Sequence, residues 1–377
     1  MAPEPASTVN RRRFLTGTAA VAATATAGTV LPGQAQAAAA PSGVAAAAPD
    51  HCHRRRLGYV LSHEQFPTDA LRSFASAADA AGFASVWASD HIQPWQPNEG
   101  HSMFPWNTLA LVGRDTRHLH FGTGVTCPTY RHHPTQVAQA WASLGIENPG
   151  RVFLGVGTGE ALNEQASTGA FGRYPERAAR LVEAVTLIRR LWTGQRVTFQ
   201  GRYFRTQGLK LWDLPRRPVP IHIAASGPKS AYLAGRYGDG WITGSADFLK
   251  KPLRDAFARG ARAAGKDPDA MPKLVETFVV VGGQAEAEYA ATRWRFTVDP
   301  WSDLVYVPDP ARIQQLAAQR WPLSRVYRDW PVSTDPAVHI AAVRKLVGMG
   351  ATPFIHSGQQ DQKRVIDFYG RYVLPHV

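Results

Sequence analysis

Short apolar runs alternate with longer helical patterns along most of the chain. The runs are four to nine residues long and comprise Leu57–Ser62, Ala84–Asp90, Leu119–Cys127, Val152–Gly157, Pro220–Ala225, Gly240–Gly244, Leu274–Gly282 and Pro353–His356. Runs of this length bounded by turn residues are typical of buried strands. Eight strands alternating with helices predict an α/β fold, a (β/α)8 TIM barrel. The same alternation also allows a doubly wound open sheet.

Helical periodicity is clear between several of these runs. Apolar residues spaced three and four apart form one stripe, made of Ala178, Leu181, Val182, Val185, Ile188, Leu191 and Trp192. Val137, Trp141 and Leu144 repeat in the same way after Pro134. Such stripes are typical of helices that cover a core with one face.

Two segments interrupt the repeat and are interpreted as insertions. Residues Arg196–Phe204 predict a β-hairpin that turns at Gln200-Gly201. Residues 297–335 are rich in Pro, Trp and Asp and match no barrel element. We expect this second segment to form a loop with short helices that covers the pocket.

The N-terminus has the order of an export signal. Asn10–Leu15 contains a twin arginine followed by Phe-Leu, the Ala/Thr run Thr16–Val30 is weakly apolar, and Ala35–Ala37 has small-x-small cleavage spacing. This predicts a twin-arginine signal peptide over residues 1–37, recognised by the twin-arginine export machinery. A disordered Ala-rich leader and an uncleaved anchor are the alternatives. Residues 38–55 predict a flexible linker, and residues 56–377 the barrel domain. The expected location is the cell envelope or the medium.

Charge and cysteine content exclude little. The 377-residue chain carries a formal charge of +13, but its basic residues are scattered and show no nucleic-acid-binding motif, so no nucleic-acid partner is expected. The two cysteines are Cys52, near the mature N-terminus, and Cys127. We expect free thiols, although a disulfide between them remains possible in an exported protein.

Polar residues at the ends of the predicted strands are the candidates for chemistry, because barrel enzymes collect catalytic groups there. His91, after the second strand, can take a hydroxyl proton near neutral pH. Glu160, after the fourth, can act as an acid or as a partner for a cofactor ring. Trp95 can line a flat ring or stabilise a transient charge. On its own, an Asp-His pair such as Asp90-His91 is more often structural than catalytic.

Glycine-rich and His-rich stretches give weaker signals. Gly155–Gly159 lacks the dinucleotide-binding spacing and is interpreted as letting a cofactor approach the backbone. Ser226–Lys229 begins a helix whose free N–H groups suit an anion, although an ordinary helix start explains it equally well. His118 and His120 stand at the start of a strand, the wrong end for a barrel metal site. No metal is predicted.

The strand-end motifs resemble a known family. The runs Ser89–Trp95, Arg151–Glu164, Ala224–Pro228 and Gly238–Gly240 are similar to those of the F420-dependent glucose-6-phosphate dehydrogenases, within the luciferase-like superfamily. The resemblance covers nearly all of residues 57–375. It implies a barrel, usually a homodimer, that binds coenzyme F420 at the C-terminal face without a metal.

The resemblance also implies residue roles. His91 would be the catalytic base, Glu160 the acid near the deazaflavin ring, and Trp95 the support of the reacting centre. The residues lining the ring would be Asp90, Gly124, Val125, Glu160 and Asn163, with a non-prolyl cis peptide between Gly124 and Val125. The cofactor phosphate would be held by Ser226, Gly227, Pro228 and Lys229.

The sequence departs from these sugar-phosphate enzymes where they bind the substrate phosphate. Asp247 stands at about the place of a lysine, and Asp329, before Trp330, takes the place of an arginine. Two acids in place of two cations should repel a phosphate. Glucose 6-phosphate is therefore not the expected substrate.

Three further runs resemble an exported branch of the family, the F420-dependent hydroxymycolic acid dehydrogenases. They are Val60–Phe66, Trp87–His91 and Glu99–Trp106. This branch implies oxidation of a secondary alcohol on a long lipid to a ketone. Glu64, Phe104, Trp106 and Trp330 are the candidate substrate contacts, and Trp301 and Tyr306 could extend an apolar groove. The aromatic residues among these could instead belong to the core.

Other functions remain open at this stage. The same site could run in reverse as an F420H2-dependent reductase, because the sequence does not fix the direction of hydride transfer. A flavin mononucleotide-dependent monooxygenase shares the superfamily, although Gly159–Asn163 argues against it. A non-catalytic envelope-binding protein on a decayed barrel is the third alternative, and the intact His91, Trp95 and Glu160 argue against that.

Overall fold

A computed structural model describes residues 57–298 and 301–377. The predicted export signal, linker and Cys52 lie outside the described residues. Within them, no helix is long and apolar enough to cross a membrane.

Eight parallel strands close into a barrel, which confirms the predicted TIM barrel and excludes the open sheet. They are β1 (Gly58–Leu61), β2 (Ser85–Ala88), β3 (His120–Thr123), β4 (Val152–Val156), β7 (Ile221–Ala224), β8 (Gly240–Gly244), β9 (Lys273–Phe278) and β12 (Thr352–His356). The order around the barrel is β1-β12-β9-β8-β7-β4-β3-β2. Closure is made by β1 and β12, where Gly58 pairs with Phe354.

Helices lie between the strands. They are α1 (Thr68–Ala81), α2 (Pro105–Asp115), α3 (Pro134–Glu147), α4 (Glu164–Thr168), α5 (Tyr174–Leu191), α6 (Pro228–Tyr237), α7 (Ser245–Phe248), α8 (Lys251–Arg262), α9 (Gln284–Arg293), α10 (Pro310–Arg320), α11 (Leu323–Val326), α12 (Pro336–Gly348) and α13 (Gln362–Phe368). Helix α5 buries Leu181, Val185 and Ile188 of the predicted stripe, whereas Val182 and Trp192 are half-buried.

A layer of large side chains fills the barrel interior. It consists of Val60, Trp87, Phe153, Ile242, Leu274 and Phe354. Trp87 stacks on Phe354 with ring centroids 3.9 Å apart. The barrel is therefore a packed core rather than a pore, and a ligand must bind above this layer, at the C-terminal ends of the strands.

The predicted third strand is wrong at its C-terminal end. Strand β3 stops at Thr123, and a cis peptide bond between Gly124 and Val125 follows it. Only an isolated bridge from Thr126 to Val156 continues the pairing. Cys127, placed inside this strand by its hydrophobicity, is a buried free thiol beyond it.

The seventh predicted strand and the hairpin also need correction. Residues 274–282 divide into β9 and the short β10 (Val280–Val281), which leaves the barrel and pairs with β11 (Val332–Ser333). The hairpin consists of β5 (Val197–Gln200) and β6 (Arg205–Leu209), so its second strand begins where the predicted hairpin ended.

The segment after α9 contains short helices, as predicted, together with strand β11. Phe296, Leu304 and Ile313 pack in one buried cluster with Trp95 and Leu162, which follow β2 and β4. The insertion therefore covers part of the C-terminal face of the barrel. A backbone hydrogen bond of 2.8 Å from the N–H of Ala161 to the carbonyl of Val305 fastens it there.

Candidate active site

The polar network after β2 is centred on the carboxylate of Asp90. Its carboxylate is buried and accepts hydrogen bonds from Nε1 of Trp106 at 2.8 Å, Oγ1 of Thr126 at 2.6 Å and the guanidinium of Arg131 at 2.8 Å. Nε2 of His132 lies 3.3 Å away. Four groups therefore fix one carboxylate, one from α2 and three from the segment after β3.

These partners also set the charge of Asp90. Burial alone would raise the pKa of the Asp90 carboxyl. The hydrogen bond with His132 and the charge of Arg131 outweigh burial and hold the pKa well below its usual range. Asp90 is therefore a permanent anion that orders its surroundings, and it is not a group that exchanges protons near neutral pH.

His91 follows Asp90 and faces a different set of groups. Its side chain is buried, and its Nδ1 atom lies 3.9 Å from Oε1 of Glu64. Its ring lies 5.3 Å from the ring of Trp95, which itself stacks on Phe296. Nδ1 of His91 has no hydrogen-bond partner among the described residues. A buried acid–base group with open hydrogen-bonding capacity suits proton transfer with a ligand.

A second buried carboxylate, Glu99, lies close to Glu64. Oε2 of Glu99 accepts a hydrogen bond from the N–H of Gln96 at 3.2 Å, and Oε1 has no partner within the described chain. Burial raises the pKa of Glu99 well above its ordinary value, and the charge of Glu64 raises it further. Glu99 could not be selected from the sequence, because no pattern around it indicates that it is buried.

The loop after β4 brings Glu160 and Asn163 to the site. Nδ2 of Asn163 donates to Oε2 of Glu160 at 3.4 Å, and Oδ1 of Asn163 accepts from the N–H of Ile92 at 3.0 Å. Asn163 therefore connects the loop after β4 to the residue that follows His91. These contacts bring together the predicted residues of both loops.

Glu164, next in the chain, is fully buried beneath this loop. Its Oε2 accepts from the N–H of Arg131 at 2.8 Å, whereas Oε1 has no partner in the described part. Burial raises the pKa of Glu164 to about 7, and the charges of Glu160 and Asp90 contribute to the rise. Glu164 therefore titrates in the physiological range just behind the predicted acid.

The glycines of Gly155–Gly159 have a structural reason that differs from the predicted one. A Cβ at Gly155 would lie 1.9 Å from the carbonyl oxygen of Thr123, and one at Gly157 would lie 2.7 Å from Val125. Gly159 has a φ of 84°, in the left-handed region that favours glycine. The first two glycines let strands and side chains approach each other closely. The expectation that this run also lets a cofactor approach the backbone stays a prediction.

The upper surface of the barrel interior remains partly open. Val125 and Ala224 pack on the interior layer yet stay partly exposed, whereas nearly all of their neighbours in that layer are buried. Glu160 and Asn163 provide polar groups in the loop after β4, at the same end of the barrel. A flat, mainly apolar ring with polar edges fits this surface, so the residues present suit a deazaflavin.

The predicted anion site is the N-terminus of α6. Ser226 and Lys229 are exposed, and the N–H of Gly227 donates to Oγ of Ser230 at 3.1 Å. Pro228 occupies the first helical turn, as predicted. The accessible helix start with a neighbouring lysine suits a phosphate, and the assignment stays a prediction.

The predicted substrate residues fall into two groups. Phe104 is exposed beside Trp106, whose indole is held by Asp90, and Glu64 is buried next to His91. Trp330 forms the second group. It stacks on Phe278, at the end of β9, with ring centroids 4.8 Å apart. The side chain of Trp301 lies outside the described part, and exposed Tyr306 accepts a hydrogen bond from Arg177 at 3.1 Å.

Arg131, which surrounds Asp90 together with Thr126 and His132, was missed as a site residue. Its position after β3 was a usable signal, since polar residues there must face the same end of the barrel. At the opposite end, a groove between Gly145–Gly150 and Leu214–Arg217 lies before β4 and β7. It lacks acid–base groups, so the chemistry belongs to the C-terminal face.

Barrel closure and the buried acid–base groups at the strand ends are typical of a TIM-barrel enzyme. The family model described as "Luciferase-like monooxygenase" matches residues 52–321. The chain belongs to this family.

Its relatives within the family are more specific. An F420-dependent hydroxymycolic acid dehydrogenase of Mycobacterium tuberculosis is 58% identical over 85% of this chain and 88% of its own length. An F420-dependent glucose-6-phosphate dehydrogenase of Nakamurella multipartita is 41% identical over 85% and 96%. The structure of an F420-dependent secondary alcohol dehydrogenase, in complex with an F420–acetone adduct, superposes with a TM-score of 0.80 at 31% identity over 85% of this chain and 98% of that one. The chain therefore groups with the F420-dependent dehydrogenases.

Proposed function

We propose that this protein is an F420-dependent dehydrogenase that oxidises a secondary alcohol to a ketone. The observation that supports this proposal most strongly is the position of His91 beside Glu64. His91 is a buried acid–base group whose Nδ1 has no hydrogen-bond partner among the described residues. The similarity to F420-dependent dehydrogenases acting on hydroxylated substrates supports the cofactor and the reaction type.

The proposed roles follow from the contacts of each residue. His91 takes the hydroxyl proton of the substrate, and the nearby Glu64 stabilises the imidazolium that forms. The ring of Trp95, between His91 and Phe296, fixes the position of the imidazole. Glu160, held by Asn163, provides the second acid–base group of the site.

The proposed cofactor residues are those that border the open surface above the barrel. Asp90, Gly124, Val125, Glu160 and Asn163 would hold the ring, and Ser226, Gly227, Pro228 and Lys229 the phosphate. When bound, coenzyme F420 supplies a carbon that accepts a hydride. The hydrogen-bonded Asp90 carboxylate keeps the loops after β2 and β3 in a fixed relation, so the ring site is preorganised.

The proposed substrate is a long-chain hydroxy lipid, for which hydroxymycolic acid is the leading candidate. The similarity to the mycobacterial dehydrogenase supports it. Ile92, Met103 and Phe104 are exposed in the loop after His91 and at the start of α2, which suits an apolar chain. Asp247 and Asp329 stand where the similar sugar-phosphate enzymes carry cations, and neither supplies a positive charge for a phosphate.

We also propose that residues 1–37 direct export through the twin-arginine pathway, with residues 38–55 as linker and 56–377 as catalytic domain. The order of the twin arginine, apolar run and cleavage spacing supports this. A homodimer is proposed on the family resemblance. Cell fractionation with a twin-lysine variant and light scattering of the mature protein test the two points.

The deciding experiment is titration of the mature protein with coenzyme F420 and with flavin mononucleotide, followed by intrinsic Trp fluorescence. We expect binding of F420 and turnover of secondary alcohols without oxygen consumption. Binding of flavin alone would overturn the proposal in favour of a monooxygenase. Reduction of ketones by F420H2, without measurable alcohol oxidation, would reverse the assigned direction.

A further inference from the structure

Three side chains from three separate strand ends form a hydrogen-bonded line inside the barrel. Oγ of Ser62, after β1, lies 2.9 Å from Nε2 of His356 at the end of β12. Nδ1 of His356 lies 2.7 Å from Oε1 of Glu276 in β9. The roles proposed above involve none of these three residues.

Only one end of this line is accessible. Ser62 and His356 are each 1% exposed, whereas the side chain of Glu276 is 33% exposed. The Ser–His–Glu order resembles that of a hydrolase triad, in which the serine must face the substrate. Here the serine is the buried end, and it also donates to the carbonyl of Ser357 at 3.5 Å. The carboxylate is therefore the group presented to a ligand.

The direction in which Glu276 points follows from strand geometry. Side chains alternate along a strand, so Glu276 shares its face with Leu274, a member of the interior layer. It therefore lies inside the barrel, one step closer to the C-terminal mouth. The residue paired with it on β8 is Gly244, and a Cβ built at Gly244 meets nothing within 4 Å. The space beside Glu276 is open.

Aromatic groups border the same space. The ring of Phe278, next on this face of β9, stacks on the imidazole of His356 at 4.3 Å and on the indole of Trp330 at 4.8 Å. A carboxylate between apolar rings disfavours anionic ligands and favours a neutral, mainly apolar molecule with a hydrogen-bond donor.

We infer that Glu276 is a substrate-binding residue, which accepts a hydrogen bond from a second hydroxyl of a mainly apolar alcohol. His356 and Ser62 are positioning residues that hold the carboxylate through Oε1 and leave Oε2 for the ligand. The inference rests on the proposed function and narrows its substrate class to hydroxy lipids with a further hydroxyl group.

The test compares two substrates with the mature enzyme. One is a long-chain secondary alcohol, and the other is a diol with the same chain and a second hydroxyl. We expect wild type to prefer the diol in kcat/KM by about tenfold, the size of one hydrogen bond to a charged group. Glu276→Leu should abolish this preference, and Glu276→Gln should reduce it. Exposed Glu147→Gln is the control and should retain it.

The positioning residues require a separate readout. His356→Gln should raise KM for the diol more than it lowers kcat, because the carboxylate stays present but less ordered. A general folding defect would instead lower kcat for both alcohols alike. Circular dichroism and the melting temperature identify variants that fail to fold, and Glu276→Gln, which keeps the size of the side chain, then replaces Glu276→Leu.

Binding separates this inference from the proposed function. Calorimetric titration of the diol into the protein needs no turnover. Glu276-dependent binding without oxidation supports the inference and overturns the proposed function. If Glu276→Gln weakens the binding of both alcohols equally, the inference is overturned. If Glu276→Gln weakens the binding of F420, the inference is also overturned, because the carboxylate would then serve the cofactor.

Discussion

Nδ1 of His91 lies 3.9 Å from Oε1 of Glu64, and both side chains are buried. A carboxylate at this distance stabilises an imidazolium without holding the imidazole in a hydrogen bond, so the ring remains able to accept a proton from a ligand. Burying two ionisable groups together costs desolvation free energy. The pair therefore indicates a site arranged for proton transfer.

Replacing His91 by glutamine tests this arrangement. We expect kcat for alcohol oxidation to fall by about 10²–10⁴-fold, the usual contribution of a general base. Affinity for coenzyme F420 should be retained, as measured by fluorescence titration. His118→Gln is the matched control, because His118 is exposed at the other end of the barrel. Unchanged activity of His91→Gln would contradict the proposed mechanism.

Trp106→Phe tests whether the indole supports Asp90. The variant keeps an aromatic ring against Trp141 but removes the Nε1 donor 2.8 Å from the buried carboxylate. We expect the free energy of unfolding to fall by about 1–3 kcal/mol, measured with denaturant. Trp212→Phe, at a residue that is 76% exposed, should leave it unchanged. Equal effects of the two variants would show that the hydrogen bond contributes nothing.

Asp90→Asn should cost stability in a pH-dependent way. The pKa of Asp90 is depressed in the folded protein, so its charge contributes stability that is present above the unfolded pKa, about 3.9, and is lost as the pH falls through the lower folded value. Near neutral pH the variant leaves Arg131 buried without its partner, and we expect a loss of about 3–5 kcal/mol.

The pH dependence is the control for this variant. Urea unfolding of wild type and Asp90→Asn between neutral pH and about pH 3 should show the difference shrinking at the acid end. A difference that stays constant with pH would mean that the variant acts through shape rather than through charge.

Hydrophobic alternation was enough to predict the barrel, because each strand and each helix carries its own local period. Alternation could not place the end of β3, since Val125 and Cys127 continue an apolar run past the cis peptide. It also could not separate β10 from β9, because apolar residues continue where the chain leaves the barrel for a partner in the insertion.

Site residues were predictable where they end a strand, as Asp90, His91 and Glu160 do. The contacts that give them their properties were not. Ser62 and His356 are 294 positions apart, and no local pattern connects them. The properties of Glu99 depend on its burial, which no local pattern in the sequence indicates. Long-range neighbours decide the pKa of a buried group, and those neighbours appear only in the folded chain.

The stability of the protein should depend on pH through Glu164 in the opposite direction to its dependence through Asp90. The pKa of its buried carboxyl is raised to about 7, so its protonated form is favoured by folding. The stability associated with that form is complete below the unfolded pKa, about 4.3, and is lost as the pH rises through about 7. Glu164→Gln keeps an oxygen for the N–H of Arg131 and cannot ionise.

We expect the Glu164→Gln variant to match wild type near pH 4 and to be more stable by up to roughly 3 kcal/mol above about pH 8. Urea unfolding of both proteins across this range measures the difference, and a variant less stable than wild type at alkaline pH would show that Glu164 is ionised and paired.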